Sequence, residues 1–456
     1  MAAQEDPRDD VIQQEDILKV KEQIERITDA ERSRTFQREL FSQIQRIRRL
    51  RREEPRSDDG EVAFNQVTYD VGTLEQGPGF LVAVTGEILV RSEAEAEVEA
   101  VLGPAGFTAD KISEVPELRD RVTRFVKDGT TVQATNALAR RLRSAGISAS
   151  LNYVVPLGYV AKGEGGFEPT TVKKSHRGPG KEANRAVRVA VVDTGIAHEG
   201  RHDGWLENIE TAHEHIDPLY VPGAGDLLDF SAGHGTFVAG VIQQIAPNAD
   251  IQVYKAIQSD GIGSEIEIAS AILRAGNGGS QVINLSLGTP TADDAPPVAL
   301  QVALELLAED HPDVLVVAAA GNSESTRPSW PAAFRSVVSV ASLTSDLKPS
   351  TWSNHGPWVD CSAVGEGVVS TYVRGQESAE VDKDHPDKFD ASSWAIGTGT
   401  SFAAPQIAGQ IVKLLDDGSS ADPRAALKEI LSRASGAISI PSYGMGVKIL
   451  PGTANG

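Results

Sequence analysis

The sequence predicts an α/β protein with a doubly wound, mostly parallel sheet, preceded by a small α+β unit and an N-terminal helical segment. From residue 186 onward, short and continuous apolar runs alternate with helix-like stretches. Continuous apolar strands of this kind are typical of parallel sheets that helices cover on both faces. The apolar runs are VRVAVV, DIQVYKAI, VINLSLG, VLVVAAAG and VVSVAS, and the helix-like stretches include EIEIASAILRAG and PPVALQVALELLAE.

The N-terminal segment, residues 1–57, is charged but periodic. Between residues 11 and 53, two sets of apolar side chains recur at helical spacing: Ile17, Val20, Ile24 and Ile27, then Phe36, Leu40, Ile44 and Ile47. That spacing predicts one long helix or a helical hairpin with an apolar stripe. The stripe either packs on the protein itself or serves self-association or the docking of a partner.

Residues 58–160 form a second unit. FLVAVTGEILVR and ASLNYVVPLGY predict strands, whereas AEAEVEAVLGPAG and NALARRLRSAGI predict helices, and together they indicate a small α+β sandwich. Residues 161–185 are rich in Gly, Pro and charge, which is typical of an exposed and protease-sensitive linker. The remaining part, residues 186–456, is the α/β domain.

Composition limits the class of protein. The 456 residues carry a formal net charge of −21, which argues against a general nucleic-acid-binding surface. The single cysteine, Cys361, excludes an intramolecular disulfide. The start, MAAQEDPRDD, lacks the apolar run of a secretory signal, and the chain lacks the stretch of about 18 apolar residues that spans a membrane. We therefore expect a soluble, cytoplasmic protein with no membrane partner, although export by a partner-dependent route stays open.

Three small-residue motifs each contain one member of a Ser/His/Asp set: RVAVVDTGI around Asp193, GHGTFVAG around His234 and GTGTSFAAP around Ser401. A serine hydroxyl is a weak nucleophile, so it needs a base such as His234. Asp193 would hold the tautomer of that imidazole and stabilise its charged form. The stretch after Ser401 predicts a helix, whose first free N–H groups favour an oxyanion.

The order Asp, His, Ser is that of subtilisin, and roughly residues 186 to 450 resemble the subtilisin-like serine proteases, or subtilases. The resemblance implies a subtilisin-like fold and a serine endopeptidase that cuts protein or peptide substrates through an acyl-enzyme intermediate. It also implies that residues 58–160 are a prodomain-like unit that blocks the substrate cleft. The protein would then be a zymogen that cuts itself in or near residues 161–185. An accessory domain without an inhibitory role is the alternative.

The resemblance assigns further site residues. Asn322, at the end of VVAAAGN, takes the place of the oxyanion-hole amide. The residues implied in binding an extended peptide, or the side chain that precedes the cut, are Ser286, Leu287, Gly288, Gly261, Gly263 and Gly321. Gly233 and Gly235 would let the backbone turn tightly around His234.

No cofactor and no metal are expected. In many subtilases a calcium-binding loop interrupts the helix that carries the histidine, but here GHGTFVAGVIQQIAPNADI runs on without an insertion. The acidic insertion at residues 374–394 is a lid, a partner contact or a solvated loop. A catalytically silent or partner-gated scaffold with the same fold is the rival hypothesis, against which the complete set of Asp193, His234, Asn322 and Ser401 argues.

Overall fold

The structure is a computed structural model. It describes residues 20, 21, 24, 69–76, 79–156, 170–172, 187–199, 201–207, 209, 212–221, 225–377 and 386–450. The expected second stripe from Phe36 to Ile47, most of the linker 161–185 and the middle of the acidic insertion lie outside the described residues. Over the described part of the chain, no helix is long and apolar enough to cross a membrane.

The elements are numbered in chain order. The strands are β1 (Val71–Gln76), β2 (Gly79–Arg91), β3 (Thr108–Lys111), β4 (Val122–Val126), β5 (Ala149–Pro156), β6 (Thr170–Val172), β7 (Arg188–Asp193), β8 (Asp250–Lys255), β9 (Ile262–Ser264), β10 (Val282–Leu285), β11 (Leu315–Ala319), β12 (Val337–Leu343), β13 (Cys361–Val364), β14 (Val368–Thr371), β15 (Gly375–Gln376), β16 (Lys388–Phe389), β17 (Trp394–Gly397), β18 (Ile438–Ile440) and β19 (Gly444–Val447). The helices are α1 (Glu95–Leu102), α2 (Val132–Ser144), α3 (His234–Ile245), α4 (Glu265–Asn277), α5 (Val298–Asp310), α6 (Thr400–Asp416) and α7 (Pro423–Ile430).

A central sheet organises the C-terminal part of the chain, in the order β18-β19-β13-β12-β11-β10-β7-β8. Neighbouring strands from β19 to β8 are parallel, and only β18 is antiparallel to its neighbour within this sheet. The mostly parallel sheet expected from the apolar runs is thus confirmed. Because parallel strands end at one edge, the residues that follow β7 and β11 come together there.

Helices cover both faces of this sheet, as the doubly wound prediction requires. Alternate residues of a strand point to opposite faces. Val189 and Val191 of β7 belong to the apolar cluster formed with α3, α6 and α7. Ala190 and Val192 of the same strand belong to the cluster formed with α4 and α5. Both faces of β7 are therefore buried, which explains why its sequence is apolar without interruption.

The N-terminal sheet is antiparallel, in the order β3-β4-β2-β5, and β1 pairs with the first half of β2, residues 79–84, whereas β4 pairs with residues 87–91. Its core packs α1 and α2 against the strands, with Phe125, Leu142 and Tyr153 among the buried side chains. Thr131 caps α2 because its hydroxyl accepts a hydrogen bond from the Ala134 amide. The strands and helices expected from FLVAVTGEILVR, AEAEVEAVLGPAG and NALARRLRSAGI correspond to β2, α1 and α2.

The N-terminal sheet continues into the C-terminal part through one antiparallel contact. Strand β5 pairs with β9, with Val154 opposite Ser264 and Val155 opposite Gly263. Tyr153 strengthens this contact, since its hydroxyl accepts a hydrogen bond of 2.9 Å from the Ala292 amide. Edge strands present unpaired N–H and C=O groups, and this pairing satisfies those of β9.

Glu265, the first residue of α4, is buried beneath this contact. Its carboxylate accepts hydrogen bonds from the Ser150 hydroxyl at 3.3 Å and from the Ala299 amide at 3.2 Å. Burial raises the pKa of Glu265 to about 8, although these hydrogen bonds act in the opposite direction. The side chain is therefore protonated at neutral pH in the folded chain.

This shift predicts a pH-dependent stability. Below about pH 4.5, the ordinary pKa of a glutamate, Glu265 is protonated in both the folded and the unfolded chain, so it does not make the free energy of unfolding depend on pH. Between about pH 4.5 and 8 only the folded chain keeps the proton, so the free energy of unfolding falls as the pH rises, by up to about 1.4 kcal/mol per pH unit. Above about pH 8 the loss is complete. Urea unfolding of Glu265→Gln should lack this component.

The control for that measurement is Glu305→Gln, which removes the ion pair that Glu305 forms at 2.6 Å with Arg91 across the same interface. Both variants lose a carboxylate, but Glu305 is partly exposed. An identical pH dependence in the parent chain and in Glu265→Gln would contradict the proposed protonation of Glu265.

Candidate active site

Asp193 and His234 meet at the carboxyl edge of the central sheet. Asp193 is the last residue of β7 and His234 is the first of α3. Nδ1 of His234 lies 2.8 Å from Oδ1 and 3.0 Å from Oδ2 of Asp193. Because a carboxylate accepts only, Nδ1 donates and the other nitrogen, Nε2, is available as a base. Both side chains are buried, at 0% and 3% exposed respectively.

Ser401 lies in the first turn of α6, next to the histidine. The ring of the following residue, Phe402, is 5.5 Å from the ring of His234, centroid to centroid. The Ser401 hydroxyl donates to the carbonyl of Ser286 at 3.1 Å, and the Ser286 hydroxyl donates back to the Ser401 carbonyl at 2.8 Å. The Ser401 hydroxyl is thus turned to Ser286 in this structure, and Nε2 of His234 is buried without a hydrogen-bond partner among the described residues.

Asn322 follows β11, in the loop that faces the start of α6. Its Oδ1 accepts hydrogen bonds from the Thr400 amide at 3.0 Å and from the Thr400 hydroxyl at 2.7 Å. The Thr400 hydroxyl also accepts from the Gly321 amide at 3.0 Å. Because Oδ1 of Asn322 accepts both hydrogen bonds from Thr400, Nδ2 of Asn322 points away from Thr400. The residue before Ser401 therefore orients the Asn322 side chain.

Two glycines make the approach of α3 to β7 possible. Gly233 has a left-handed backbone, with φ of +78°, as a tight turn before His234 requires. Gly235 has no positive φ. Instead, its lack of a side chain lets the backbone of α3 approach the backbone of Gly195 closely. A Cβ at residue 235 would lie 2.2 Å from the carbonyl oxygen of Gly195. Of the two expected turn glycines, Gly235 thus allows packing rather than turning.

Asp217 and Thr194 complete the site, and sequence reasoning missed both. Oδ2 of Asp217 accepts hydrogen bonds from the Gly233 amide at 2.8 Å and from the Thr194 hydroxyl at 2.9 Å. The Thr194 hydroxyl in turn accepts from the Gly235 amide at 3.1 Å. The amides on both sides of His234 are therefore fixed. Thr194 stands beside Asp193 in the motif and could have been noticed, whereas Asp217 lies in a loop without a pattern.

Burial raises the pKa of Asp217 to about 6, against the opposing effect of its hydrogen bonds from Gly233, Leu219 and Thr194. The ionised form needs these donors, because a buried carboxylate without partners is strongly disfavoured. At neutral pH, Asp217 is thus a charged acceptor behind the imidazole.

The expected substrate-contact residues fall into two groups. Ser286 and Gly321 lie against Ser401 and Thr400, as described above, and Leu287 is buried beside Ser286. Gly263 lies in β9, and Gly261 directly precedes that strand; a Cβ at Gly261 would be 2.6 Å from the Ser231 hydroxyl. The backbone carbonyl of Ser231 in turn accepts a hydrogen bond of 3.2 Å from the His234 amide. A Cβ at Gly288 would approach the Ser329 hydroxyl to 2.8 Å.

The residues present do not fit the calcium loop known from subtilases. Helix α3 runs from His234 to Ile245 without an insertion. In the ranges that the structure describes, no group of three or more His, Cys, Asp or Glu side chains is placed to hold an ion. His215, a histidine in the loop after β7, uses its Nδ1 to accept a hydrogen bond of 3.2 Å from the Lys255 amide, so that nitrogen is not available to a metal ion.

The doubly wound α/β fold brings the buried Asp193–His234 pair into contact with α6, the helix that carries Ser401. The family model of the subtilases, peptidase S8, matches residues 184–446, more than half of the chain. The chain therefore belongs to the subtilase family.

Curated relatives share the C-terminal part. Thermitase of Thermoactinomyces vulgaris is 29% identical over 260 residues, which cover 55% of this chain and 82% of thermitase. A thermophilic serine proteinase of Bacillus sp. strain AK1 is 30% identical over 271 residues, or 56% of this chain, and the match spans only 59% of that relative. Subtilisin Savinase of Lederbergia lenta is 32% identical over 236 residues, 49% of this chain and 74% of that relative.

Solved structures are similar in fold over a larger share of the chain. Fervidolysin from Fervidobacterium pennivorans, a keratinolytic enzyme related to subtilisin, matches with a TM-score of 0.54 and 20% identity, covering 80% of this chain and 60% of fervidolysin. The epidermin leader peptide processing serine protease from Staphylococcus aureus matches with a TM-score of 0.51 and 19% identity, covering 80% of this chain and 97% of that one. The expected subtilisin-like fold is thereby confirmed.

Replacing Asp217 tests the network behind His234. In Asp217→Asn the side chain loses its charge and keeps one oxygen, whereas Oδ2 now accepts from the Gly233 amide and the Thr194 hydroxyl and Oδ1 from the Leu219 amide at 3.1 Å. The new NH2 group therefore faces a buried donor in either orientation of the amide. We expect the free energy of unfolding in urea to fall by about 1 to 3 kcal/mol. Asp346→Asn, at an exposed aspartate, is the matched control. Equal stability of the two variants would mean that Asp217 does not hold the turn.

Proposed function

We propose that this chain is a serine endopeptidase in which Ser401 is the nucleophile, His234 the general base and Asp193 the residue that orients the imidazole. The observation that carries this proposal is the buried hydrogen bond of 2.8 Å between His234 and Asp193, with Ser401 at the start of the adjoining helix. The family membership of the chain supports the same reaction class.

The reaction begins when the Ser401 hydroxyl turns from the Ser286 carbonyl to Nε2 of His234. As Oγ attacks the peptide carbonyl, its proton moves to Nε2, and Asp193 stabilises the imidazolium that forms. His234 then gives the proton to the leaving amine, which leaves an acyl group on Ser401. Water, activated by the same imidazole, hydrolyses this ester and restores the serine.

The negative oxygen of the tetrahedral intermediate needs donors that are in place beforehand. We assign this role to Nδ2 of Asn322 and to the backbone N–H of Ser401, in the first turn of α6, where N–H groups lack the usual intrahelical partner. The hydrogen bonds from Thr400 to Oδ1 support the assignment, because they fix the orientation of the amide beside the residue that precedes Ser401.

Peptide substrates would bind in the extended form. Strand β9, with Gly263 and the preceding Gly261, would form one rim, and the segment Ser286, Leu287 and Gly288 the other, while Gly321 borders the pocket for the side chain before the cut. Backbone pairing of this kind needs little identity in the substrate.

Residues 58–160 would act as a prodomain that blocks this cleft, which makes the chain a zymogen. Strand β5 supports this role because it already pairs antiparallel with β9, the proposed rim. The chain leaves β5 toward residues 161–185, where we propose the self-cleavage site. We further propose that the enzyme works in the cytoplasm, a reducing compartment in which a lone thiol such as that of the buried Cys361 persists.

Labelling with a fluorophosphonate tests the nucleophile. The processed protein should be labelled stoichiometrically, and Ser401→Ala should not be labelled, whereas Ser419→Ala, at an exposed serine, should behave like the parent. Absence of labelling in every condition would indicate a silent scaffold. Labelling only after a partner protein is added would replace the autonomous enzyme by a partner-gated one.

Intact-mass measurement tests the zymogen. We expect the parent chain of 48.4 kDa to yield a C-terminal fragment that begins within residues 161–185 or close to them, and Ser401→Ala to stay uncut. The control is a mixture in which active enzyme is added to Ser401→Ala, since it separates cleavage between molecules from cleavage within one. A pure Ser401→Ala sample that matures at the same junction would refute self-cleavage.

A further inference from the structure

An aromatic patch lies on the C-terminal part, outside the proposed cleft rims. Trp205 comes from the loop after β7, and Trp394 is the first residue of β17. Their rings meet edge to face, with centroids 5.3 Å apart and an angle of 90°. Ile396, two residues further along β17, joins the same cluster, with Leu206 and Val369 at its margin. These five residues are the tryptophan patch.

A buried ion pair holds the patch rigidly. Arg201 binds Asp203 at 2.7 Å and donates to the carbonyls of Tyr372 at 2.7 Å and Ser393 at 2.8 Å. The guanidinium also lies 5.8 Å from the ring centre of Trp394. The loop after Asp193 is thereby fastened to β17, so the patch is a preformed surface rather than one that a partner must create.

Val20, far away in the sequence, occupies this patch. It is helical and only 1% exposed, in the same cluster as Trp205 and Trp394, which are 5% and 3% exposed. Ile24, one turn later and on the same face, also packs against it, whereas Lys21 points to solvent. The N-terminal stripe thus packs, at these positions, on its own protein.

A second N-terminal segment reaches the same strand. Strand β6 pairs antiparallel with β17, with Thr170 opposite Ile396 and Val172 opposite Trp394. Val20 precedes the N-terminal sheet in the chain and β6 follows it, yet both contact β17. That strand leads directly into the turn of Ser401.

We propose that the tryptophan patch is a second docking surface, whose ligand is the apolar pair Val20 and Ile24 of the same chain, both helical in the structure. This contact anchors the N-terminal region to the C-terminal domain independently of the pairing between β5 and β9. An apolar helix face on an aromatic surface is a common mode of peptide recognition. The anchor itself does not require proteolysis, but one consequence rests on the proposed function. After a cut in the linker, the N-terminal fragment stays bound by two contacts: the interface of its sheet, which pairs with β9 and packs on α4 and α5, and the contact of Val20.

Two connected contacts retain a fragment far better than either one alone. While β5 holds β9, the helix around Val20 remains at a high effective concentration near the patch, and the reverse also holds. Release of the fragment requires both contacts to open together. Weakening the Val20 contact should therefore accelerate release without any change to the proposed cleft.

Hydroxyl-radical footprinting of the uncut Ser401→Ala chain tests the anchor without relying on activity. In Val20→Asp, an unpaired carboxylate would have to be buried, so we expect Trp205 and Trp394 to be oxidised about tenfold faster or more. Lys21→Asp, at the exposed neighbour, should leave both rates unchanged. The buried Trp352 serves as an internal control for folding in each sample.

Equal oxidation of Trp205 and Trp394 in Val20→Asp and Lys21→Asp would overturn the proposal. So would protection that is lost on dilution, because it would identify a second copy as the occupant. If Trp352 is also exposed in Val20→Asp, the nearly isosteric Val20→Thr decides by the same criterion. In the cleaved parent chain, Val20→Asp should release the N-terminal fragment at least about tenfold faster in size-exclusion chromatography. An uncut chain would refute the self-cleavage while leaving the footprinting result intact.

Discussion

The hydrogen bond between Asp193 and His234 depends on a close approach of two elements that are distant in the sequence. Helix α3 begins where β7 ends only because residue 235 has no side chain, so that its backbone can pass the carbonyl of Gly195. Both partners are buried, and a buried carboxylate must have its hydrogen bonds satisfied. Asp193 accepts from His234 and from the Thr194 amide at 2.8 Å. The surrounding network of Asp217 and Thr194 then fixes the amides on either side of the imidazole, which leaves the ring little freedom.

The edge strand β9 connects this site to the N-terminal sheet. A free edge attracts a further strand, because its backbone groups would otherwise rely on water. Strand β5 supplies that strand from within the chain, and an extended peptide would need the same groups. Under the proposed function, pairing with β5 and binding of a substrate would therefore exclude each other at this edge. Glu265 lies under the covered edge, so closure also buries a carboxyl group that water would otherwise solvate.

The sequence indicated most of the central sheet and part of the site. Continuous apolar runs indicated strands such as β7 and β11. Asp193, the last residue of β7, was indicated by its small-residue motif, and Asn322, beyond β11, by the resemblance to subtilases. Asp217 could not be found in this way, since its role depends on a loop folding back onto Thr194. Periodicity indicated an apolar stripe through Val20 but left its partner open. The pairing of β6 with β17 and the packing of Val20 against Trp205 both arise from tertiary contacts between segments that are distant in the sequence.

The two attachments of the N-terminal region differ in physical character, and this difference separates their roles. The interface of the N-terminal sheet combines the register-specific backbone pairing of β5 with β9 and apolar packing on α4 and α5. Under the proposed function, the paired strand would exclude a peptide from the rim. The contact of Val20 with the tryptophan patch is apolar, and apolar burial is non-directional, so it does not depend on an exact alignment of residues. It adds retention without demanding a particular geometry at the cleft. Because β17 contacts both Val20 and β6 and then leads to Ser401, the proposed anchor lies on the strand that precedes the turn of the proposed nucleophile.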